Sequence, residues 1–342
     1  MSAESVFLKK GDFNLKRLIS VVSTFVFTAA LGTADAQPFA IEKVRAIPLQ
    51  LGDEFVGLIS DLFLDTDGRF YLTDWQQHTV WICDSKGKLV RRVGREGAGP
   101  GELQHPTGTA VFEDKVIVLD TGNGRVMIFK KDGTYSNDFR LDFQMTSGIL
   151  VSKDGRIAVN SLWEPTLFTV YDMDGGIIGS RGERVPDQAV GYAIGDQHLS
   201  QTPEGHILYS TVKEYPVLRM KWDGTVLATY EADSPGYGKL TYPSGALFLN
   251  HREIMKTWTP ILRALIVSDC VLAQRKKEDW EKGPPKYYGD LFTMDGEPIQ
   301  LALELALQFY AVDGDLLFGI DSTPMDEGED NPHIVVYRLG EL

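Results

Sequence analysis

Residues 94–133 read GREGAGPGELQHPTGTAVFEDKVIVLDTGNGRVMIFKKDG and contain one complete structural unit of the chain. The run at residues 116–119 (VIVL) is continuously apolar and largely β-branched, which is typical of a strand buried on both faces. The loop at residues 120–124 carries Gly and Asn, which tolerate positive φ, and a second strand follows at residues 125–129. Residues 132–133 then form a hairpin turn of the Asp-Gly kind. The stretch therefore predicts antiparallel strands joined by tight turns.

The same order of apolar run, turn, apolar run and closing glycine turn recurs along the chain. Four of the five intervals between closing glycines are about 45 residues, the length of one four-stranded propeller blade. The interval before the fifth unit is longer and predicts an insertion at about residues 234–260. Within it, residues 246–258 have helix-compatible spacing and contain no Gly or Pro, so we expect a short helix there. The closing glycines are Gly87, Gly133, Gly175, Gly224, Gly296 and Gly340.

The two ends of the repeat region can together form one complete sheet. The sixth unit ends after the strand predicted at residues 333–338 and is one strand short, while residues 41–49 form an apolar segment outside any unit. Pairing these segments completes the last sheet and removes exposed strand edges. We therefore predict an all-β fold over residues 37–342: a six-bladed β-propeller with four-stranded antiparallel blades, in which the N-terminal strand closes the last blade. The charged residues 274–286 are expected to form a solvated loop.

The first 36 residues have the three regions of a secretory signal peptide. Basic residues at positions 9–17 precede an uncharged, mostly apolar run at residues 18–31, and Ala-Asp-Ala at residues 34–36 provides a small-x-small cleavage site. The apolar run is short for a bilayer-spanning helix, which needs about 20 residues. The sequence therefore predicts a periplasmic or secreted protein with no membrane span after cleavage. The alternative is an uncleaved segment that anchors the N terminus in the membrane.

The composition is that of a soluble globular protein. The 342 residues are 43% hydrophobic, and 48 acidic against 34 basic residues give a net charge of −14. This balance argues against binding a nucleic-acid backbone, which requires clustered Lys and Arg. The two cysteines, Cys83 and Cys270, lie in the first and fifth units, which are not adjacent in a six-unit ring. Since a disulfide needs Cα atoms within about 7 Å, we expect two free, buried thiols.

Residues 94–133 also carry a family motif. The glycine-rich start, the apolar strand, a D-x-x-N-x-R-V loop and the closing Asp-Gly turn resemble one repeat of the NHL family. In layout, residues 41–342 resemble the NHL-repeat and TolB-like six-bladed β-propellers of the exported bacterial type, which implies an exported interaction module. Two roles remain open for Asp120 and Arg125: they line a binding face, or Asp120 accepts backbone N–H bonds while Arg125 braces the neighbouring blade. The positions that match the motif are Asp120, Asn123, Arg125, Val126 and Gly133.

The resemblance also implies an alternative function. An NHL-like peptidyl-hydroxyglycine amidating lyase holds zinc with His residues at the starts of inner strands, and calcium-dependent lactonases place an oxygen cage in a six-bladed scaffold. In this chain Thr107 stands where the lyase motif has His after Pro106. The alternative to a binding protein is therefore a metal-dependent hydrolase or lyase, with Ca or Zn in the central channel. The sequence assigns no catalytic residue and predicts no other cofactor.

In a propeller, the loops between second and third strands share one face with the loops that lead into each blade. On this chain those loops carry aromatic, amide and charged side chains, which can stack on a ligand and hydrogen-bond to it. We therefore predict a binding or scaffold protein that recognises a protein, peptide or glycan on this face. The predicted ligand contacts are Trp75, His78, His105, Asn123, Arg125, Trp163, Tyr192, His198, Tyr215 and Tyr242.

Overall fold

Twenty-four strands are present in the part of the chain that the computed structural model describes, and they form six four-stranded antiparallel sheets. Each sheet is one blade of a propeller, which confirms the predicted fold. The described residues are 39–142, 146, 148–160, 166–182, 198–210, 216–238, 258–278, 283–322 and 331–341.

The strands follow chain order from the centre of the ring to its edge in blades 1 to 5. Blade 1 consists of β2 (Ile59–Leu64), β3 (Phe70–Asp74), β4 (Thr79–Cys83) and β5 (Leu89–Val93). Blade 2 consists of β6 (Gly108–Phe112), β7 (Lys115–Asp120), β8 (Arg125–Lys130) and β9 (Tyr135–Arg140). Blade 3 consists of β10 (Ile149–Val151), β11 (Ile157–Asn160), β12 (Phe168–Tyr171) and β13 (Ile177–Arg181). Blade 4 consists of β14 (His198–Gln201), β15 (Ile207–Ser210), β16 (Val217–Met220) and β17 (Val226–Tyr230).

The last two blades complete the ring. Blade 5 consists of β18 (Ile261–Val267), β19 (Cys270–Lys277), β20 (Lys286–Thr293) and β21 (Pro298–Leu305). Blade 6 consists of β22 (Phe309–Asp313), β23 (Leu316–Asp321), β24 (His333–Glu341) and, at its outer edge, β1 (Phe39–Pro48). A 3₁₀ turn, Thr121–Asn123, joins β7 to β8.

The apolar core is divided among the interfaces between neighbouring blades. Among the described residues, six buried clusters each join two adjacent blades. Between blades 2 and 3, for example, Ile117 and Ile128 pack with Ile157 and Tyr171. The continuous apolar runs of the sequence are therefore the middle strands of the blades, which are covered on both faces.

Blade 6 is built from both ends of the described chain. β1 runs antiparallel to β24, from Phe39 opposite Glu341 to Pro48 opposite His333. This pairing confirms the predicted closure of the ring. It also shows that the closing turn predicted at Gly340 is wrong, because Gly340 lies within β24. The sixth blade has no such turn, since its fourth strand comes from the N-terminal side.

The closing turn of blade 2 gives a test of the blade boundaries. Gly133 has a φ of 86°, and a Cβ at this position would lie 2.8 Å from Cδ of Arg91. We expect Gly133→Val to lower the free energy of unfolding by about 2 kcal/mol, because a β-branched residue is strained in this conformation. Urea denaturation measures the change. Gly340→Val is the matched control: a Cβ there meets nothing within 4 Å, so we expect a change below about 0.5 kcal/mol. An unchanged urea midpoint for Gly133→Val would contradict this turn.

The predicted loop at residues 274–286 is wrong in its first part. β19 continues to Lys277, and Gln274 and Arg275 are buried within it. The Gln274 amide donates to the carbonyl of Phe309 and accepts from its N–H, while Nε of Arg275 donates to Asp290 at 3.0 Å. These hydrogen bonds satisfy the polar groups of two residues whose composition predicted a loop, so both residues can be buried in a strand. The predicted helix at residues 246–258 lies outside the described residues, apart from Trp258.

Both cysteines are buried and free, as predicted. Burial, with the Asp84 charge nearby, raises the pKa of the Cys83 thiol to about 12. Burial also raises the pKa of Cys270. Because the thiolate is the reactive form, both groups are poor nucleophiles at neutral pH.

The chain divides into two units, Met1–Gln37 and Pro38–Leu342. The second unit contains the whole propeller. The predicted signal peptide at residues 1–36 lies in the first unit and outside the described residues. Within the described ranges, no helix combines the length and the apolar character needed to cross a bilayer.

Candidate functional site

A cluster of aromatic and imidazole rings lies on the face where second and third strands are joined. The ring centroid of His105 lies 4.3 Å from that of Trp75 and 4.5 Å from that of His78. The backbone N–H of His105 donates to Nδ1 of His78 at 2.9 Å, so neutral His78 carries its proton on Nε2. His78 and His105 both have left-handed backbones, with φ of 53° and 48°, a strained conformation that often marks functional positions. The structure thus brings three of the predicted contact residues together.

Three exposed apolar side chains lie in two segments of blade 1: Phe55 and Leu58 precede β2, and Trp75 lies in the loop between β3 and β4. Phe55, Leu58 and Trp75 are 57%, 59% and 39% exposed. The N–H of Trp75 donates to the carbonyl of Leu58 at 2.9 Å, which holds these two residues side by side. We call Phe55, Leu58, Trp75 and His105 the blade-1 ledge. Sequence reasoning missed Phe55 and Leu58, although two large apolar residues in the glycine- and acid-containing segment 52–58 (GDEFVGL) were a usable signal.

The carboxylate of Asp74 holds the backbone of two segments of the ledge in place. It ends β3 and is buried. Its Oδ2 accepts the N–H of Gly57 at 2.7 Å, and its Oδ1 accepts the N–H of Gln77 at 2.9 Å. One carboxylate therefore positions both the segment that carries Leu58 and the loop that carries Trp75.

Asn123 and Arg125, two further predicted contacts, donate hydrogen bonds within blade 2 and to the loop that joins blades 1 and 2. Arg125 is only 8% exposed, and its Nε donates to Oδ2 of Asp120 at 2.8 Å. Its Nη2 donates to the carbonyl of Glu102 at 2.8 Å, and the Asn123 amide donates to Asp120 at 2.8 Å. Oδ1 of Asp120 accepts the N–H of Gln104 at 2.6 Å. Asp120 thus accepts a backbone N–H, as in one of the two roles that the sequence left open, and Arg125 binds the loop that joins blades 1 and 2.

A cavity of about 430 Å³ lies at the centre of the ring and is lined by the first strands of all six blades. It extends from Asp61 and Arg263, near the starts of their strands, to Pro203, Ser268 and Gly314 in the turns between first and second strands. Those turns lie on the face opposite the blade-1 ledge. The sequence predicted a central channel for the alternative metal site but did not identify these lining residues, because they are far apart in the chain.

His198 belongs to the interior network at one end of the cavity. It begins β14 and is buried, with Nδ1 at 3.2 Å from Nη2 of Arg263. The same Nη2 donates to Oδ1 of Asp61 at 2.7 Å, and Nη1 donates to the carbonyl of Tyr310 at 2.9 Å. Burial, followed by the Arg263 charge, holds the pKa of His198 well below 6.5. His198 is therefore neutral and accepts a hydrogen bond from Arg263.

The remaining predicted contacts, Trp163, Tyr192, Tyr215 and Tyr242, lie outside the described residues.

Within the ranges that are described, no three His, Cys, Asp or Glu side chains converge to hold a metal ion. Thr107, where the lyase motif has His, shares a hydrogen bond of 2.6 Å with the Thr121 hydroxyl. The described part of the loop face thus presents groups that stack and hydrogen-bond.

Comparisons with known proteins agree with this architecture. Residues 32–160 match the sequence profile of the family DUF5128, described as a 6-bladed beta-propeller. Protein lin-41 of Caenorhabditis elegans is 46% identical over 52 residues, which are 15% of this chain and 4% of lin-41. The chain therefore spans a small fraction of that relative.

Solved structures resemble the chain over most of its length. A candidate exported protein from Bacteroides fragilis has a TM-score of 0.67 and 14% identity, with 88% of this chain and 95% of the other covered. A member of the DUF4221 family from Bacteroides vulgatus has a TM-score of 0.63 and 11% identity, with 89% and 99% covered. Virginiamycin B lyase from Staphylococcus aureus has a TM-score of 0.51 and 11% identity, with 89% and 100% covered. The chain is thus a six-bladed β-propeller that is similar, over residues 32–160, to the DUF5128 family.

Proposed function

We propose that this protein is an exported binding module that recognises a protein or peptide on the blade-1 ledge. The observation that carries the proposal is the joint exposure of Phe55, Leu58 and Trp75 in adjoining segments of blade 1. Several large apolar side chains exposed in adjoining segments are typical of an interaction site, whereas single exposed apolar residues are common. Phe55 and Leu58 favour apolar side chains of a polypeptide over the hydroxyl-rich surface of a glycan.

The ledge has the further properties of a preorganised site. Trp75 stacks on His105, and Asp74 fixes the backbone on both sides, so little side-chain or loop entropy is lost on binding. The His78 ring lies 4.5 Å from that of His105 and adds a polar group beside the ledge. Large aromatic residues with a polar rim dominate the binding energy of many protein interfaces.

Two features support export. The N-terminal sequence has the regions of a signal peptide, and a structural relative from Bacteroides fragilis is described as a candidate exported protein. Fusion of residues 1–37 to a reporter that is active only outside the cytoplasm tests this part of the proposal. Cytoplasmic retention of the reporter would contradict it.

Ligand selection with a matched control tests the binding site. We expect peptides selected from a displayed library by the wild-type protein to bind Trp75→Ala at least tenfold more weakly, because a buried interface Trp contributes about 2 kcal/mol or more. Tyr135→Ala is the control, since Tyr135 is also 39% exposed but lies on the outer strand of blade 2. Isothermal titration calorimetry on both variants measures the difference.

The outcomes separate this proposal from the alternatives. An equal loss of peptide affinity in Trp75→Ala and Tyr135→Ala would contradict the ledge as the binding site. Selective binding to a glycan array would show that the ligand is a glycan and not a peptide. Stoichiometric, chelator-sensitive calcium or zinc in elemental analysis would support a metal-dependent hydrolase or lyase instead.

A further inference from the structure

The loop that leads into blade 2 is held against the ledge by one imidazole. His78 lies at the end of the loop between β3 and β4, and its Nδ1 accepts the backbone N–H of His105 at 2.9 Å. The ring of His105 in turn lies on Trp75, with 4.3 Å between the ring centroids. Because the backbone of His105 is left-handed, with a φ of 48°, it keeps this conformation only through such contacts. His78 therefore positions His105 on the ledge.

This hydrogen bond requires a neutral His78. A neutral imidazole has one acceptor nitrogen, which here is Nδ1, whereas an imidazolium carries an N–H on both nitrogens and accepts no hydrogen bond. Protonation would bring two N–H groups face to face, and the N–H of His105 would lose its acceptor. Histidine is also the side chain whose charge ordinarily changes between about pH 5 and pH 8. Mild acid therefore opposes the contact that positions His105.

A carboxylate beside His78 offers the protonated ring another partner. Oε1 of Glu96 lies 3.9 Å from Nε2 of His78, and the Glu96 side chain is 75% exposed, so it is free to follow the ring when the ring turns. Asp74 lies in β3 directly before the same loop, but its oxygens already accept backbone N–H groups. Protonation thus exchanges a hydrogen bond at Nδ1 for an ion pair at Nε2.

Arg92 and His105 bring further ionisable groups to this corner of blade 1. Nε of Arg92 donates to Oγ1 of Thr79, the residue after His78, at 3.3 Å, and its Nη1 pairs with Glu54 at 3.3 Å. The Arg92 charge is therefore neutralised locally. The His105 ring lies 4.5 Å from that of His78, so a charge on both rings adds repulsion to the lost hydrogen bond. Acid therefore separates the two histidines whichever ring takes up its proton second.

We propose that the blade-1 ledge is a pH-dependent site: protonation of His78 breaks its hydrogen bond to His105, and the ledge then releases a ligand that it holds at neutral pH. In the protonated form His78 turns to Glu96, and the ring of His105 is no longer fixed on Trp75. Affinity falls as the pH falls, because the form that binds is the one without the proton. The release of a ligand rests on the proposed function, whereas the break between His78 and His105 does not.

NMR spectroscopy on the ¹⁵N-labelled, ligand-free full chain tests the break directly. We expect a coupling across the hydrogen bond, between the backbone nitrogen of His105 and Nδ1 of His78, at about pH 8 and its loss at about pH 5. The protection of the His105 amide against hydrogen exchange should fall at least tenfold over the same range. His78→Asn is the matched control, because Asn tolerates the left-handed backbone and offers an acceptor oxygen that does not titrate. In that variant the protection should change less than about threefold.

Glu96→Gln tests the partner of the protonated ring. Without the carboxylate the protonated form loses its ion pair, so the midpoint of the break should move to lower pH by about 0.3 unit, the size expected of an exposed pair. Glu113→Gln is the control, since the Glu113 side chain is similarly exposed, at 67%, but lies in blade 2 beside Lys115. It should leave the midpoint unchanged.

Peptide binding provides the second readout. The probe is a C-terminally amidated peptide selected at pH 7.5 that contains no His, Asp or Glu, so that the protein alone titrates. We expect calorimetry to show about tenfold weaker binding to the wild-type protein at pH 5.5 than at pH 7.5. Binding to His78→Asn should change less than about threefold. Thermal unfolding at both pH values establishes that each protein is folded, and Glu96→Gln carries the test if His78→Asn does not fold.

Each outcome supports the proposal or overturns it. A His105 amide that keeps its coupling and protection while the His78 ring titrates would overturn it, and so would a wild-type pH response in His78→Asn or an unchanged midpoint in Glu96→Gln. Equal peptide affinities at the two pH values, with the contact broken at the lower one, would reject control by pH and keep the ledge as the binding site. If no peptide binds the ledge, the proposed function fails, and the NMR measurements still decide whether acid breaks the contact.

Discussion

Replacing Ile47 by Asp is expected to lower the free energy of unfolding by about 4 kcal/mol or more. Ile47 is 5% exposed, lies in β1 opposite Ile334, and belongs to the cluster that joins blades 6 and 1. A carboxylate in this cluster either loses its hydration or takes up a proton, and both changes cost free energy. The lost apolar burial adds to that cost. Urea denaturation followed by tryptophan fluorescence measures the sum.

A second residue of the same strand provides the control for this prediction. Val44 is 43% exposed and lies at the register shift between Lys43 and Arg45, away from the core. We expect Val44→Asp to change the free energy of unfolding by less than about 0.5 kcal/mol. A loss below about 1 kcal/mol in Ile47→Asp, or equal losses in both variants, would contradict a stabilising closure of the ring by β1.

Asp120→Ala is expected to cost about 3–5 kcal/mol of folding stability. The substitution leaves the Arg125 guanidinium buried without its carboxylate, and it removes the acceptor for the N–H of Gln104. The loop between blades 1 and 2 would lose a hydrogen-bond acceptor that holds it in place. The positive charge of Arg125 would no longer be neutralised. Thermal and urea unfolding of the variant measure the loss.

A double-mutant cycle separates the charge from the loop anchor. Arg125→Met in the Asp120→Ala background should recover part of the stability, because it removes the unpaired buried charge. Asp315→Ala is the matched control, since the Asp315–Arg338 pair has a similar distance of 2.8 Å but is about half exposed. We expect that exposed pair to contribute at most about 0.5 kcal/mol. Similar losses in Asp120→Ala and Asp315→Ala would contradict the role assigned to the buried pair.

The blade pattern could be predicted because its signals are local. Glycines such as Gly87 and Gly133 are required by turns of positive φ, and continuous apolar runs are required by strands that two blades cover. The closure of blade 6 was also within reach, since an unpaired apolar segment at each end leaves one way to complete the sheet. The turn predicted at Gly340 was wrong because blade 6 has no hairpin between its third and fourth strands. Its fourth strand is β1, from the N-terminal side of the described chain.

Other features could not be predicted because they depend on contacts distant in the chain. Residues 274–277 have the composition of a loop, and their place in β19 becomes favourable only when Phe309 and Asp290 satisfy the polar groups of Gln274 and Arg275. Arg263 and Asp61 are 202 residues apart in sequence. No local pattern relates them.

Only part of the candidate site could be predicted, because some of its features are local in sequence and others depend on the folded surface. Trp75, His78 and His105 were identified because loop topology places them on one face, and their stacking follows from the position of the loop that leads into blade 2. Phe55 and Leu58 were missed because exposure of an apolar residue is a property of the folded surface. Arg125 illustrates the opposite case, since a charged residue in a loop motif is buried and binds a neighbouring loop.

The antiparallel register of β1 and β24 has a mechanical consequence. Because Phe39 lies opposite Glu341, the chain enters β1 and leaves β24 at the same end of this ladder. Tension that separates these ends would load the first residue pair alone, then the next, so the ladder would peel apart under a small force. The same ladder pulled along its length would share the load among all its pairs and resist far more strongly.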